Sequence, residues 1–346
     1  MKASYFKHKL EFKRPSGTSR GILKTKTSWY IVLKTEDNYG IGECGLLKGL
    51  SIDDRNNYES TLKWVCEHID HGLDHLYPKL KDFPSIQFGL EMAFQSYYSE
   101  NPYILYPSAF TKGKEGMKIN GLIWMGEKSF MKSQIQDKIN LGFSCIKLKI
   151  GAIDFKSELD LLAYIRSEFS ASDIELRVDA NGAFAPETAL EKLKQLSQYD
   201  LHSIEQPIAQ GQWQEMAELC QKTPLPIALD EELIGLSDVT KKKEVLLTIK
   251  PQYIILKPSL IGGFQGSKEW IDLAKEQSVD WWMTSALESN IGLNAISQFT
   301  FMQNNPLPQG LGTGSLYTNN IESPLWINGE HIMYNPNQEW ENKFDL

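Results

Sequence analysis

Three kinds of feature are scarce in this sequence, and each scarcity excludes a class of protein. Only four of the 346 residues are cysteine, and none forms a Cys-x-x-Cys pair, which argues against a disulfide framework or a zinc ribbon. No run of about 18 apolar residues occurs, as a transmembrane helix would require. Basic residues are in the minority, since 36 Lys and Arg against 44 Asp and Glu give a net charge of −8. We therefore expect neither a membrane protein nor a general nucleic-acid binder.

The beginning of the chain and its overall composition predict a globular cytoplasmic protein. Residues 1–9 lack the apolar core of a signal peptide. A composition of 41% hydrophobic and 23% charged residues is typical of folded domains. At roughly 100–200 residues per domain, the length indicates two domains, or one large barrel with an accessory piece.

Residues 1–115 are predicted to form an α+β domain. The segment Trp29–Leu33 is rich in β-branched and aromatic residues and is followed by turn-forming residues at 36–40. This pattern predicts a β-hairpin whose second arm is Gly40–Cys44. Beyond the hairpin, residues 58–71 and 85–98 have the apolar spacing of helices.

Residues 116–315 contain eight short strand-like runs that alternate with helical stretches. The runs are 118–124, 145–150, 174–180, 201–207, 226–231, 253–258, 280–285 and a piece ending at 310–314. A strand, a helix and two loops take about 30 residues, so this spacing predicts an α/β fold with a (β/α)8 barrel. A doubly wound open sheet is the alternative. Residues 316–346 look extended, and we expect them to return to the N-terminal domain and to complete it as a cap.

Polar side chains end five consecutive predicted strands, although strands of a parallel barrel are normally apolar. In chain order these side chains are Lys147 and Lys149, Asp179 and Asn181, Glu205, Asp230, and Lys257. The C-terminal ends of barrel strands form the rim on which active sites are built. Residues two apart on a strand share a face, so both members of each pair can point into the barrel.

Three of these side chains are carboxylates on adjacent strands, and like charges this close need compensation. The three are Asp179, Glu205 and Asp230. A hard divalent cation would supply it, and an all-oxygen ligand set without His or Cys favours Mg²⁺, with Mn²⁺ as the alternative. Lys149 and Lys257 flank the carboxylates, and two facing ammonium groups lower each other's pKa, with Lys147 acting in the same direction. A lysine brought towards neutrality can act as a general base.

Taken in order, these motifs resemble the enolase superfamily in its muconate-lactonizing-enzyme branch. The matching motifs are Lys147-Leu148-Lys149, Asp179-Ala180-Asn181-Gly182, Ile204-Glu205-Gln206-Pro207, Ala228-Leu229-Asp230-Glu231 and Ile255-Leu256-Lys257-Pro258. The resemblance covers nearly the whole chain, from the capping domain through the barrel to the tail. Within the branch, residues 285–292 and 310–314 are most similar to strand ends of the o-succinylbenzoate synthase family.

This resemblance implies a Mg²⁺-dependent lyase. The implied reaction dehydrates 2-succinyl-6-hydroxy-2,4-cyclohexadiene-1-carboxylate to o-succinylbenzoate, a step of menaquinone biosynthesis. A metal-bound carboxylate makes its α-proton more acidic. Lys149 would then remove that proton, and Lys257 would stabilise the resulting anion from the opposite side of the ring.

The same resemblance assigns substrate binding to several further residues. They are Lys147, Asn181, Ser285, Gly312 and Thr313. The loop 16–21 resembles the mobile capping-domain lid of this branch. We expect Ser19 or Arg20 of that loop to meet the succinyl carboxylate.

Two other functions fit the motifs. An N-succinylamino acid racemase, or another enzyme of the muconate-lactonizing type, would use the same two lysines to exchange a proton across both faces of a carbon. A non-catalytic barrel that binds a small carboxylate is the third possibility. Residues 310–314 contain no acid, whereas dipeptide epimerases usually place an Asp-x-Asp pair there to hold a substrate ammonium. The expected partner is thus a small-molecule carboxylate, and the sequence contains no recognisable oligomer interface.

Overall fold

The N-terminal residues form a small antiparallel sheet that carries three helices. The computed structural model describes residues 1–18, 21–124, 126–151 and 153–342. The sheet has the order β1 (Lys2–Thr18), β2 (Gly21–Lys34), β3 (Tyr39–Cys44). The predicted hairpin is confirmed, because β2 and β3 pair in antiparallel register and Thr35 N donates to Asn38 O at 2.8 Å in the turn.

Helix α3 joins this cap to the rest of the molecule. The cap helices are α1 (Tyr58–Glu67), α2 (Leu73–Leu76) and α3 (Pro84–Tyr98). Nearly every residue of α3 is buried, since the helix lies between the cap sheet and the barrel. Its backbone almost touches β3, and a Cβ on Gly42 would lie only 1.9 Å from Gly89 O. Glycine is therefore required at position 42 for α3 to pack this closely.

The second part of the chain folds into a parallel sheet surrounded by helices. Its strands are β5 (Gly121–Ile123), β6 (Cys145–Lys149), β7 (Glu175–Asp179), β8 (Ser203–Glu205), β9 (Ile227–Leu229), β10 (Tyr253–Leu256) and β11 (Asp280–Met283), hydrogen-bonded in chain order. Between and after them lie α4 (Lys128–Asn140), α5 (Phe155–Glu168), α6 (Pro186–Leu196), α7 (Trp213–Lys222), α8 (Val239–Ile249), α9 (Pro258–Ile261), α10 (Gly263–Glu276) and α11 (Asn290–Met302). Most strand residues are fully buried, as expected when helices cover one face and the barrel interior the other.

The barrel closes through a two-residue seam instead of the predicted eighth strand. Ile119 bridges to Gln309, and Thr284 bridges to Gly310. The adjacent residues Gln309 and Gly310 thereby join both edges of the seven-stranded sheet. Gln309 N donates to Lys118 O at 2.9 Å, and Gly310 N donates to Met283 O at 2.8 Å. Pro308 has no N–H to contribute, and glycine is a poor strand former, which explains why no longer ladder forms here.

The C-terminal segment contacts both parts of the molecule. Tyr317 bridges to Phe12 of β1, and Thr318 N donates to Glu11 O at 2.9 Å. Further on, the hairpin of β12 (Leu325–Asn328) and β13 (His331–Tyr334) pairs with β4 (Met117–Lys118) at the entrance to the barrel. Later in the tail, the Trp340 ring stacks on Tyr103 with ring centres 4.4 Å apart. No helix within the described ranges combines the length and apolarity that a membrane span needs.

Two cap carboxylates hold the cap to the barrel at the starts of barrel helices. Glu91 of α3 accepts from Phe264 N at 2.6 Å and Gln265 N at 3.0 Å in the first turn of α10. Glu43 of β3 accepts from the backbone N–H groups of residues 289 and 292, at 2.8 and 2.9 Å, where α11 begins. Free N–H groups at a helix start favour a negative charge, so each contact satisfies donors that would otherwise be buried.

Burial raises the pKa of Glu91 to about 8, although the two backbone donors act in the opposite direction. A carboxyl group with a raised pKa binds a proton more readily in the folded than in the unfolded protein. Its contribution to stability is therefore complete below its unfolded pKa and declines as the pH rises towards about 8.

We predict that replacing Glu91 with Gln weakens this pH dependence. The free energy of unfolding of the wild type should fall between pH 6 and pH 8.5 by about 2 kcal/mol more than that of Glu91→Gln. Urea denaturation at several pH values measures both, and other titrating groups cancel in the difference. Parallel pH profiles for the two proteins would contradict the prediction.

Candidate active site

The strand register brings the predicted site residues to one rim. Lys149 pairs directly with Asp179, and Asp179 pairs with Glu205. Asp230 follows the last residue of β9, and Lys257 follows the last residue of β10. Since parallel strands end at the same edge, all five side chains belong to the C-terminal rim of the barrel.

Buried lysine ammonium groups contact all three carboxylates. Lys147 Nζ lies between two of them, 2.9 Å from Asp179 Oδ2 and also donating to Glu205 Oε2. Lys149 Nζ donates to Asp179 Oδ2 at 2.8 Å. On the other side of the rim, Lys257 Nζ donates to Asp230 Oδ2. The exposed fraction of each of these side chains is at most 13%, so the charges interact with little screening by water.

The expectation that the flanking lysines have lowered pKa values is wrong for Lys257, and the pKa of Lys147 is raised as well. Burial disfavours the charged form of each, but attraction to the carboxylates outweighs burial and raises the pKa of both. Burial by itself would raise the pKa of Asp179, but the neighbouring lysines lower it well below its usual range. Burial raises the pKa of Glu205 well above its usual range, with the charge of Asp179 as the second cause. Carboxylates therefore influence Lys147 and Lys257 more strongly than the neighbouring ammonium groups do.

Asn181 connects Lys149 to the next part of the rim. Its Oδ1 accepts from Lys149 Nζ at 2.9 Å, its Nδ2 donates to Glu231 Oε1 at 3.0 Å, and its backbone N donates to Asp179 Oδ1 at 3.0 Å. Asn181 has a φ of 45°, a left-handed conformation that asparagine tolerates better than most residues. This backbone turn allows one residue to contact a lysine and a carboxylate with its side chain and a second carboxylate with its backbone N–H.

Gln206 performs a similar role between β8 and β9. Its Oε1 accepts from Asp230 N at 3.1 Å and Glu232 N at 3.3 Å, and its Nε2 donates to Ile208 O at 3.0 Å. Gln206 is fully buried and has a φ of 39°. The backbone that carries Asp230 is thereby held in place by a side chain that does not itself reach the cavity.

The donor set suits a hard divalent cation, although the side chains are not arranged around one. Asp179, Glu205 and Asp230 supply only oxygen atoms, which Mg²⁺ prefers. Glu205 Oε1 is buried without a hydrogen-bond partner, as an oxygen reserved for another ligand would be. In the described ranges, no three Asp, Glu, His or Cys side chains are spaced to share a metal as they stand, because Lys147 Nζ lies between Asp179 and Glu205.

A cavity of about 360 Å³ lies above this rim and reaches the cap. Of the residues predicted to bind substrate, those within the described ranges all line it: Lys147, Asn181, Ser285, Gly312 and Thr313. Ser19 and Arg20 lie outside the described residues. The catalytic candidates Lys149 and Lys257 also face this cavity, which is large enough for a small organic acid.

Sequence reasoning missed several residues of the cavity wall. The cap contributes the apolar residues Leu23, Leu47 and Leu50, and the barrel contributes Trp124 and Leu287. Lys138 of α4 also lines the cavity, and its ammonium lies 4.9 Å from the centre of the Phe143 ring. Apolar residues in a connecting loop look like ordinary packing in a sequence, so only their position in the fold identifies them.

Comparison with known proteins agrees with this geometry. The family model for the enolase C-terminal domain-like fold matches residues 131–337. The o-succinylbenzoate synthase of Desulfotalea psychrophila is 46% identical over an alignment that covers 95% of this chain and 98% of that protein. The crystal structure of MenC from the same organism superposes with a TM-score of 0.86 and 42% identity, covering 96% and 99% of the two chains.

The chain belongs to the enolase superfamily and, within it, to the o-succinylbenzoate synthase family. Membership agrees with the barrel, the capping strands and the order of the rim residues. An N-succinylamino acid racemase from Amycolatopsis is also similar, at 27% identity over 55% of this chain and 50% of that protein. o-Succinylbenzoate synthases are lyases, and this chain is much more similar to the Desulfotalea psychrophila enzyme, at 46% identity, than to the racemase, at 27%.

We predict that Lys147→Met destabilises the protein in metal-free buffer. The substitution removes the ammonium group that Glu205 contacts and one of the two that Asp179 contacts. An uncompensated buried charge typically costs about 3 kcal/mol or more. Urea denaturation at pH 7 with EDTA measures the free energy of unfolding. As a control, Lys48→Met removes an exposed lysine at the cavity mouth. This substitution should change the free energy of unfolding by less than about 0.5 kcal/mol. Equal stability of the two variants would show that Lys147 does not balance the carboxylates.

Proposed function

We propose that this protein is a Mg²⁺-dependent dehydratase that converts 2-succinyl-6-hydroxy-2,4-cyclohexadiene-1-carboxylate to o-succinylbenzoate, for menaquinone biosynthesis. The observation that supports this most directly is the rim itself, where Lys149, Lys257 and Asp179 line one cavity. The other two carboxylates lie behind this wall, where Glu205 contacts Lys147 and Asp230 contacts Lys257. The membership of the o-succinylbenzoate synthase family supports the choice of substrate.

Asp179, Glu205 and Asp230 would hold the metal through their carboxylate oxygens. When bound, Mg²⁺ withdraws electron density from the substrate carboxylate and so acidifies the neighbouring C–H bond. The protein keeps this region dry, since all three carboxylates are at most 2% exposed. In such surroundings, charges act on a bound ligand with little screening by water.

Lys149 is proposed as the base. Asp179 Oδ2 and Asn181 Oδ1 accept two of its three possible hydrogen bonds, and the remaining direction is available to the cavity. The same two acceptors would stabilise the ammonium formed when Lys149 takes the α-proton. That proton is then available to the departing hydroxyl group, which leaves as water and closes the proton balance.

Lys257 is proposed to stabilise negative charge on the other face of the substrate. Lys149 ends the second barrel strand, and Lys257 follows the sixth. Seven strands and the seam make eight positions around the barrel, so the two lysines are separated by half of the circumference. The two ammonium groups therefore face each other across the cavity. Lys257 would attract the anion that forms when the α-proton leaves.

The opposed lysines also support a second candidate function, racemisation of N-succinylamino acids. One lysine would remove the α-proton and the other would return a proton to the opposite face. The two reactions differ in outcome, because dehydration creates an aromatic ring and racemisation leaves the substrate's bonds intact. Both begin with proton removal by the same groups.

We predict that Lys149→Ala lowers kcat for dehydration by about 10³-fold, as loss of a general base usually does. Product affinity, measured by calorimetry, should change little, since the carboxylates remain. Aromatisation is followed by ultraviolet absorbance, and Lys48→Ala at the cavity mouth is the matched control. Unchanged turnover in Lys149→Ala would remove its assigned role.

The wild-type protein in deuterated water separates the two candidate functions. For the dehydratase, the cyclohexadiene substrate should aromatise much faster than N-succinylalanine exchanges its α-proton, as NMR can follow. Exchange of the amino acid derivative without any aromatisation of the cyclohexadiene would favour the racemase.

We also predict that Mg²⁺ binds at the three carboxylates. Calorimetric titration with MgCl₂ should show one site in the wild type, and Glu205→Gln should weaken it by more than about tenfold. Glu187→Gln, which changes an exposed residue in the first turn of α6, should bind as the wild type does. Full dehydratase activity in excess EDTA would contradict the assignment.

A further inference from the structure

A buried carboxylate behind the cavity wall controls the direction of two hydroxyl groups. Glu288 has no exposed surface and accepts from Ser259 Oγ at 2.6 Å and from Ser285 Oγ at 2.8 Å, one at each carboxylate oxygen. It does not line the cavity, whereas Ser285 and Thr313 do. Accepting at both oxygens is the pattern of an ionised carboxylate, which has no hydrogen to donate.

The hydrogen bonds of Ser285 are completely used within the protein. Its hydroxyl donates to Glu288, and its oxygen accepts from Leu287 N at 2.9 Å and from Thr313 Oγ1 at 2.9 Å. A hydroxyl group has one hydrogen and two lone pairs, so no capacity remains for a ligand. Ser285 therefore acts on the cavity through Thr313.

Thr313 is left with only one kind of hydrogen bond to offer. Its hydrogen points to Ser285, and its exposed fraction is 7% at the cavity wall. The oxygen keeps its lone pairs, so Thr313 can accept a hydrogen bond from a ligand but cannot donate one. A ligand carboxylate or carbonyl would be repelled at this point, while a hydroxyl or amide N–H would be attracted.

We infer that Glu288 is a positioning residue that makes Thr313 an obligatory acceptor, and that this wall selects substrates carrying a hydrogen-bond donor. Under the proposed function, on which this part rests, the donor is the ring hydroxyl group that leaves during dehydration. The product has lost that hydroxyl group and gains nothing from Thr313. The wall thus favours substrate over product.

The direct test compares two ligands that differ in one donor. N-succinylalanine has an amide N–H, and its ester analogue O-succinyl-lactate has an oxygen in that place. Calorimetry with the wild type and Mg²⁺ should give a dissociation constant about tenfold lower for the amide, the effect of one hydrogen bond. Equal affinities of the wild type for the two ligands would overturn the inference.

Three variants locate the effect. Thr313→Val keeps the shape but removes the acceptor, and it should bind amide and ester equally. Thr313→Ser restores the hydroxyl group and should recover the preference. Ser315→Ala, which removes an exposed hydroxyl group that also lines the cavity, should leave the preference unchanged. A tenfold preference retained in Thr313→Val would overturn the inference.

Glu288→Gln tests the positioning role itself. A carboxamide donates hydrogen atoms, so Ser285 can turn its own hydrogen towards Thr313 and free the threonine hydrogen for the cavity. The preference for the amide should disappear, and adding Thr313→Val should cause no further change, since both act on one contact. A purely structural role for Glu288 would instead weaken both ligands equally and add to the effect of Thr313→Val.

Turnover separates this inference from the proposed function. With Thr313→Val, KM for the cyclohexadiene should rise about tenfold while product affinity stays constant. A wild type that shows the amide preference but no dehydration would defeat the proposed function alone. A wild type that dehydrates the substrate but lacks the preference would defeat this inference alone.

Discussion

Charge balance at the strand ends is the constraint on which the rest of the structure depends. Asp179, Glu205 and Asp230 are almost completely buried, and each contacts a lysine ammonium. Removing charged groups from water is costly unless partners are close and well oriented. The rim is therefore a set of mutually dependent charges, and Asn181 and Gln206 hold the backbone and side chains that keep the set together.

The cap depends on a related principle, since its contacts with the barrel are made by buried carboxylates on backbone N–H groups. Glu43 and Glu91 satisfy the starts of α11 and α10. Glu43 also accepts from Ser289 Oγ, and the next residue towards the N-terminus is Glu288, which orients the cavity hydroxyls. The joint between cap and barrel thus adjoins the wall that meets the ligand. A change in the contact between Glu43 and Ser289 would therefore act directly on Glu288, the adjacent residue in the chain.

Much of the fold follows from local sequence patterns. The β2–β3 hairpin, helix α3 and the repeated strand–helix units appear where apolar spacing and turn residues predict them. Because parallel strands align at their ends, Asp179 and Glu205 were expected to be neighbours, and their register pairs them directly. Regular elements are predictable here because their patterns extend over many residues.

The features that could not be predicted from the sequence depend on contacts between residues far apart in the chain. The predicted eighth strand is a two-residue seam, since Pro308 and Gly310 disfavour a ladder. Lys147 and Lys257 have raised pKa values because the number and distance of surrounding carboxylates decide the direction, and neither can be read from spacing. Glu288 lies in the motif 285–292 but received no role, because a single acid in a loop has no periodicity and one of its two partners, Ser259, comes from a distant segment.

The seam at Gln309 and Gly310 has a consequence for how this scaffold can diversify. Gln309 reinforces it with its side chain, whose Oε1 accepts from Met283 N at 2.7 Å. Since closure is complete within these two residues, Gly312, Thr313 and Ser315 border the cavity without pairing to the barrel sheet, whereas Leu316 O accepts a hydrogen bond from Lys13 N of β1. Insertions or replacements in that short stretch can reshape what the enzyme accepts and leave the circular framework intact.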